Sequence, residues 1–338
     1  MSLPPLLDEA WRLEPFRPPF AFSAFFSPED TLLCVCAADA ARRLLTDAPS
    51  TESKGGDFTV AELTSGSGLV GLSILRQAPR ARLLGLDVDR DAAHVAERNA
   101  ILLDLDSRTR FARSDLWSAT TLRMLQKEKP RLIVCNPPYV PEPPSTRMQM
   151  EAGAGPHGTA HILRALELTR LVQPDALALS WCSLSDPGGV VAAAEGSGYD
   201  LQTLYVCAIA DGEYSGTVQP YLRELSECFI NEQPETLTAV APDGSARFSY
   251  LLLSGAFIRR EGDGARGRQQ GAAPDKSAQS SSAVVEKICR DFARDGIRTL
   301  KSAQAPFSLH CSVLTRWDEL ELRVLLHGET AQPTTEGE

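Results

Sequence analysis

Short apolar runs alternate with segments of helical spacing along most of the chain. Strand candidates lie at 60–63, 83–86, 109–113, 132–135, 176–181, 201–210 and 248–257, and all but the third are mainly apolar. Between several of them, as at 69–75 and 190–198, apolar residues recur at the spacing of an amphipathic helix. Strands that alternate with helices are typical of an open α/β fold with a mostly parallel sheet, so we predict that architecture.

Four consecutive residues, Asn136-Pro137-Pro138-Tyr139, follow the apolar run at 132–135 and stand where a strand of the sheet ends. Open α/β sheets bind ligands at this end. The Asn136 side-chain oxygen and the Pro137 carbonyl can accept the two N–H bonds of a planar nitrogen, while the Tyr139 ring packs on the planar group. The prolines hold these carbonyls rigidly. Because asparagine does not titrate, the pattern indicates positioning of a nitrogen for methylation rather than general-base catalysis.

A glycine-containing loop at 64–68 follows the first predicted strand. Gly66 and Gly68 allow the backbone to approach a ligand, and free N–H groups at the start of the next helix suit a carboxylate. Asp87 closes the second predicted strand, where an acid can accept hydrogen bonds from both ribose hydroxyls of an adenosine. The loop and this acid together indicate a site for an adenosine-containing cofactor.

The glycine loop also fits a second class of protein. Gly66 to Gly71 matches the G-x-G-x-x-G pattern of dinucleotide-binding domains, so a nicotinamide enzyme is an alternative on this feature alone. The Asn136 turn argues against it, because a dehydrogenase has no need of such a turn after its fourth strand. Asp115 follows the third predicted strand and can accept from an adenine amino group, although it would serve equally well as a helix N-cap.

The order of these elements resembles the class I S-adenosylmethionine-dependent methyltransferases, and specifically the HemK/PrmC family of protein-glutamine N5 methyltransferases. Glu62 stands at the acidic position of that family's first strand motif. Residues 27–31 resemble its P-x-E-D-T helix start, and residues 154–158 resemble its G-G-x-x-G stretch. The resemblance implies a Rossmann-like, seven-stranded, mostly parallel sheet with helices on both faces. Its seventh strand would enter antiparallel between the fifth and the sixth, and a small C-terminal appendage would follow.

The resemblance also implies a set of site residues and S-adenosyl-L-methionine as the cofactor. The catalytic residues would be Asn136, Pro137 and Tyr139. The cofactor-binding residues would be Glu62, Ser65, Gly66, Gly68, Asp87, Asp115 and Asn136. The chain departs from the family at Thr64 and at Ala154, where the family usually has glycine. If position 64 takes a positive φ, threonine is a costly occupant.

Composition narrows the choice of partners. The 338 residues include 44 acidic and 34 basic side chains, a formal net charge of −10, which argues against a broad phosphate-binding surface. A protein substrate is therefore favoured over a nucleic acid. No apolar run reaches the ~18 residues of a membrane span, and the first residues lack a signal pattern, so we expect no membrane contact and a cytoplasmic location. Eight cysteines without a C-x-x-C pair, together with scattered histidines, predict free thiols and no metal.

Changes of composition along the chain divide it into segments. Residues 261–283 are rich in Gly, Ser, Gln and Ala, which is typical of a flexible linker. We predict an N-terminal extended and helical segment at 1–56, a methyltransferase domain at 57–260 with an insertion at about 211–246, the linker at 261–283, a small α/β appendage at 284–327 and a disordered tail at 328–338.

Three functions follow from these observations. The favoured one is methylation of a glutamine side chain of a protein such as a translation release factor. The rival enzyme is an N6-adenine methyltransferase of RNA or DNA, because the Asn136 turn serves either planar nitrogen. The third is a non-catalytic scaffold that binds the cofactor and supports a partner; the presence of both Asn136 and Tyr139 weighs against it.

Overall fold

The computed structural model describes most of the central part of the chain. The longer described stretches are 28–47, 57–144, 152–209, 250–260 and 280–295, and the shorter ones are 148, 150, 217–218, 220–222, 224–225, 238–240, 246–248, 299–300 and 303–312. The predicted tail at 328–338, the part of the predicted appendage beyond residue 312 and residues 1–27 of the predicted N-terminal segment lie outside these residues. Most of the predicted linker and much of the predicted insertion do so as well.

Helices and strands alternate through the described residues, as the apolar pattern predicts. The helices are α1 (Pro28–Asp47), α2 (Leu69–Gln77), α3 (Arg90–Leu102), α4 (Ala119–Glu128), α5 (Ala160–Val172), α6 (Pro187–Gly196) and α7 (Ser281–Asp295). The strands are β1 (Thr59–Leu63), β2 (Arg82–Asp87), β3 (Thr109–Arg113), β4 (Leu132–Cys135), β5 (Ala176–Cys182), β6 (Tyr199–Ile209), β7 (Thr238–Val240), β8 (Ala246–Phe248), β9 (Tyr250–Arg259) and β10 (Ser308–Ser312). A short 3₁₀ helix, Asp106–Arg108, precedes β3.

One large sheet forms the centre of the fold, with the strand order β10-β6-β9-β5-β4-β1-β2-β3. Neighbouring strands are parallel except at β9, which runs antiparallel between β5 and β6. The predicted Rossmann-like architecture and the place of the antiparallel strand are therefore confirmed. The strand number differs from the prediction: the sheet has eight strands rather than seven, because β10 adds to β6 as a parallel edge strand. A separate hairpin is formed by β7 and β8.

The sheet is buried on both faces, which explains why its strands read as continuous apolar runs. Successive residues point to opposite faces, so Val60 of β1 belongs to one core cluster and Ala61 to the other. Helices α1 to α3 contribute mainly to the cluster around Val60, and helices α4 to α7 to the cluster around Ala61. Both faces are thus closed, and the carboxyl ends of the strands are where a ligand site can form.

The C-terminal segment docks on the main sheet. Helix α7 packs on α6, where the Ser282 hydroxyl donates a 2.7 Å hydrogen bond to the Gly188 carbonyl oxygen. Val285 and Phe292 of α7 are buried in the cluster around Ala61. The described part of the predicted appendage is thus continuous with the main core, and the boundaries of the predicted segments stay a prediction. Within the described ranges, no helix combines the length and apolarity that crossing a bilayer requires.

We predict that α7 contributes directly to the stability of the sheet domain. Phe292 is 7% exposed, and truncation of a buried phenylalanine to alanine costs about 3–5 kcal/mol, so Phe292→Ala should lower the free energy of unfolding by that order. Arg290 lies on the same helix with an exposed side chain that pairs with Glu286. Arg290→Ala is the matched control, and it should change stability by less than about 0.5 kcal/mol. Urea titration followed by circular dichroism measures both; equal midpoints for the two variants would contradict the docking.

Candidate active site

A cavity of about 360 Å³ opens at the carboxyl ends of the first four strands. The loops after β1, β2, β3 and β4 each contribute to it. Its lining residues are Thr64, Gly66, Leu86, Asp87, Val88, Asp89, Ala92, Ser114, Asp115, Leu116, Trp117, Asn136, Pro138, Met150 and His161. Four of the residues predicted for the site, Gly66, Asp87, Asp115 and Asn136, are therefore brought together around one space.

The glycine loop joins β1 to α2 in a left-handed conformation. Gly66 has φ 50° and Gly68 has φ 75°, a region that side chains other than glycine seldom adopt. At Gly68 a Cβ atom would lie 2.9 Å from the Phe111 ring, so glycine is also required by packing. The tight turn places the Gly66 amide 2.8 Å from the Asp87 carboxylate, which accepts its proton.

Asp87 is held by backbone amides on both of its oxygens. Oδ2 accepts from Gly66 N at 2.8 Å, and Oδ1 accepts from Asp89 N at 2.9 Å. Burial raises the pKa of this carboxyl above its ordinary value, although the two amide bonds oppose the shift. A carboxylate has about four acceptor positions, so Asp87 retains capacity toward the cavity that it lines. Its chemistry therefore fits the predicted contact with a ribose diol.

Glu62 lies beneath the glycine loop and does not line the cavity. It is buried, and its Oε2 accepts a 3.1 Å hydrogen bond from the Gly71 amide in the first turn of α2. Burial, together with the nearby Asp87 carboxylate, raises the pKa of Glu62 to about 8, although the hydrogen bond from the Gly71 amide opposes the shift. Ser65 and Gly68 are likewise absent from the cavity lining. Binding of the cofactor by these three residues stays a prediction, and in this structure they support the loop.

Asp115 shapes the loop after β3. Its Oδ1 accepts a 2.9 Å hydrogen bond from the Trp117 amide, which folds the loop tightly and turns the indole toward the cavity rim. Trp117 is 53% exposed and meets the His161 ring edge to face, with ring centroids 4.8 Å apart. Burial lowers the pKa of His161, while Asp115 and Glu142 oppose the shift, so the imidazole is favoured in its neutral form.

The sequence analysis missed Trp117 and His161. Trp117 could have been predicted, because it stands two positions after Asp115 and aromatic side chains often line small-molecule sites. His161 had no such signal, since it reaches the cavity from the first turn of α5, far along the chain from the other lining residues.

Asn136 presents an acceptor without a partner. It lines the cavity, and its Oδ1 is buried with no hydrogen bond to any of the described residues. Buried polar atoms in folded proteins are almost always paired, so an orphan acceptor at a cavity edge indicates a donor supplied by a ligand. Pro138 borders the same cavity, whereas Pro137 is not among its lining residues.

A second piece of chain braces the Asn136 turn. Val140 and Ala154 form a short backbone ladder, with Ala154 N donating to Val140 O at 3.1 Å, and Glu142 N donates to Gly155 O at 3.1 Å. At Gly158, which has φ 67°, a Cβ atom would lie 2.3 Å from the Tyr139 carbonyl oxygen. The glycine stretch at 154–158 therefore lets one backbone pack directly on the other.

Tyr139 is placed differently from the stacking position predicted for it. The residue is 8% exposed, belongs to the main core cluster and does not line the cavity. Its hydroxyl forms a hydrogen bond with the Asp30 side chain of α1, and burial, reinforced by that carboxylate, raises the pKa of Tyr139 well above its usual value. In this structure Tyr139 anchors the turn to α1, and a direct catalytic role for it stays a prediction.

The region that carries this cavity is similar to known proteins. Residues 29–151 match the family described as the methyltransferase small domain. The chain is 32% identical over 130 residues to the release factor glutamine methyltransferase of Caulobacter vibrioides, a match that covers 36% of this chain and 43% of that protein. It is 30% identical over 182 residues to the protein of the same name from Moorella thermoacetica, covering 51% of this chain and 58% of that protein.

A solved structure with a similar fold is a SAM-dependent methyltransferase from Geobacter sulfurreducens in complex with S-adenosyl-L-homocysteine. It shares 13% identity, covers 75% of this chain and 98% of its own, and gives a TM-score of 0.38. The chain spans about half the length of the two curated relatives, at 43% and 58%. The matched region thus carries a class I S-adenosylmethionine-dependent methyltransferase domain, and this part of the chain is similar to release factor glutamine methyltransferases of the HemK/PrmC family.

Proposed function

We propose that the protein transfers a methyl group from S-adenosyl-L-methionine to the side-chain amide nitrogen of a glutamine in a protein such as a translation release factor. The observation that carries the proposal is the buried, unpartnered Oδ1 of Asn136 at the edge of the cavity. The similar proteins from Caulobacter and Moorella are named release factor glutamine methyltransferases, which supports this class of acceptor. The formal net charge of −10 favours a protein over a polyphosphate.

The residues around the cavity suit the cofactor at one end. Asp87 would accept from the ribose hydroxyls, Asp115 would accept from the adenine amino group, and the Gly66 segment would lie under the amino-acid part. When bound, S-adenosyl-L-methionine supplies an electrophilic methyl group next to a positively charged sulfur. The acidic lining favours a ligand that carries this positive charge.

The acceptor side of the reaction depends on Asn136 and Pro137. A primary amide is a weak nucleophile because its nitrogen lone pair is delocalised into the carbonyl. Acceptance of one N–H by Asn136 Oδ1 and of the other by the Pro137 carbonyl would orient the nitrogen and raise its electron density. The nitrogen held in this way would take the methyl group that the cofactor supplies and would release one of its two protons to solvent. Because asparagine cannot take that proton, its contribution is positioning and polarisation.

The same geometry is compatible with the exocyclic amine of adenine, so the acceptor needs a direct test. We expect methyl-glutamine in a release factor that bears a Gly-Gly-Gln sequence when it is incubated with the protein and labelled cofactor. Total RNA and total DNA are the parallel substrates, with mass spectrometry as the readout. N6-methyladenine without any protein signal would replace the proposal by the nucleic-acid alternative.

If the Asp87 carboxylate contacts the cofactor's ribose, substitution of Asp87 should lower the affinity for the cofactor. Hydrogen bonds to a charged acceptor contribute about 1.5–3 kcal/mol, so Asp87→Ala should weaken S-adenosyl-L-methionine binding by about tenfold or more. Asp91→Ala is a suitable control, because Asp91 is exposed on the first turn of α3 and does not line the cavity. Calorimetry gives both affinities. An Asp87 variant that binds like the Asp91 variant would refute the ribose contact, and binding of NADH in place of S-adenosyl-L-methionine would refute the proposed chemistry.

If the Asn136 side chain contacts the methyl acceptor, its substitution should lower the turnover rate without weakening cofactor binding. Removal of one preorganised polar contact of this kind costs ~10²–10³ in rate, so Asn136→Ala and Asn136→Asp should both fall by that factor. Their affinity for S-adenosyl-L-methionine should stay within a few-fold of the wild type, since the Asn136 side chain is assigned to the acceptor. Single-turnover assays alongside calorimetry separate the two effects. A wild-type rate in the alanine variant would refute the assignment of Asn136 to the methyl acceptor, whereas a wild-type protein that methylates neither protein nor nucleic acid would favour the scaffold.

A further inference from the structure

Thr64 is a β-branched residue in a left-handed backbone conformation. Its φ is 53°, so the condition under which threonine is a costly occupant of this position is met. L-residues other than glycine, asparagine and aspartate rarely adopt this region, and β-branched residues do so least. Such a conformation persists only where surrounding contacts hold it, and residues of this kind cluster at functional sites. Contacts of the Thr64 side chain must therefore hold its backbone in this conformation.

The Thr64 hydroxyl lies between the carboxyl ends of two neighbouring strands. Its single proton is shared between two carbonyl oxygens, that of its own chain neighbour Leu63 at 2.5 Å and that of Asn136 at 3.1 Å. The Cys135 Sγ atom is 3.7 Å away. Leu63 and Cys135 pair in the parallel ladder of β1 and β4, so the hydroxyl stands one residue beyond the last rung of that ladder.

We propose that Thr64 is a positioning residue whose hydroxyl ties the cofactor loop to the acceptor turn by donating to the Asn136 carbonyl. The inference rests on the proposed function insofar as it assigns the two sides of the cavity to cofactor and acceptor. The bond links the residue that opens the glycine loop with the residue whose side chain meets the acceptor, and both line the same cavity.

The composition of the turn makes such a tether useful. Pro137 and Pro138 have no N–H, so the turn cannot fasten itself to its surroundings through backbone donors at these two positions. A bond to the Asn136 carbonyl fixes the peptide plane between Asn136 and Pro137. The orientation of that plane restrains the Asn136 side chain on one side and the Pro137 carbonyl on the other.

A glycine at position 64 would adopt the left-handed conformation without strain, but it has no side chain to donate. Serine would keep the hydroxyl, and valine would keep the branched shape without it. The series Thr64→Ser, Thr64→Val and Thr64→Gly therefore separates the hydrogen bond from the backbone strain. If strain relief were the only effect, the glycine variant would be more stable and at least as active as the wild type.

The first readout does not depend on the acceptor. Hydrogen–deuterium exchange of the peptide that covers 136–142 reports the order of the turn through its four backbone amides, those of Asn136, Tyr139, Val140 and Glu142. The tether predicts exchange at least threefold faster in Thr64→Gly and Thr64→Val, with Thr64→Ser close to the wild type. Should the valine variant fail to fold, the glycine variant decides. Unchanged exchange in the glycine variant would overturn the proposal.

The second readout is the split between turnover and binding. We expect kcat to fall by about tenfold to a hundredfold in the glycine and valine variants, because a small displacement of a positioning group has effects of this size. The Kd for S-adenosyl-L-methionine should change by less than about threefold, and serine should restore kcat. Full activity in the glycine variant would overturn the tether while leaving the proposed methylation intact. A wild-type protein that methylates no acceptor would overturn the proposed function, and the exchange experiment would still decide the role of Thr64.

Discussion

The pairing of β1 with β2 on one side and with β4 on the other is the constraint on which the site depends. Leu63, the last residue of β1, lies level with Leu86 of β2 and Cys135 of β4. Because all three strands are parallel and end at the same height, the residues that follow them emerge side by side. The glycine loop, Asp87 and Asn136 meet for this reason, although long stretches of chain separate them.

Electrostatics adds a second layer to this arrangement. Glu62 and Asp87 are both largely removed from water, which raises the pKa of each, and the Asp87 carboxylate raises the pKa of Glu62 as well. The amides of Gly71 and Gly66 offset part of that cost by donating to the two carboxylates. A cationic ligand would offset more, because opposite charge nearby favours the ionised form of an acid. Asp87, which both holds the glycine loop and lines the cavity, thus also favours a positively charged cofactor there.

Much of the fold could be predicted from the sequence because burial on both faces gives each central strand a continuous apolar run. The carboxyl-end residues Gly66, Asp87, Asp115 and Asn136 were predictable for the same reason, since strand ends mark the ligand side of such a sheet. The addition of β10 to the main sheet was not, because the apolar pattern of residues 308–312 indicates a strand but not its partner β6. Nor was the direction of the Tyr139 side chain, which depends on Asp30 in a helix far away in the chain.

The Asn136 turn is held from three directions, and each restraint acts on a different backbone or side-chain group. Thr64 reaches the Asn136 carbonyl, Gly158 packs against the Tyr139 carbonyl, and Asp30 meets the Tyr139 hydroxyl. A turn with two prolines has few torsions left to adjust, so these restraints together leave it little freedom. Catalysis by positioning requires such rigidity, because a hydrogen-bond acceptor that moves relative to the target nitrogen loses the entropic advantage of alignment. The buried, unpaired oxygen of Asn136 then fits the picture of a turn kept in place for a donor that arrives with the substrate.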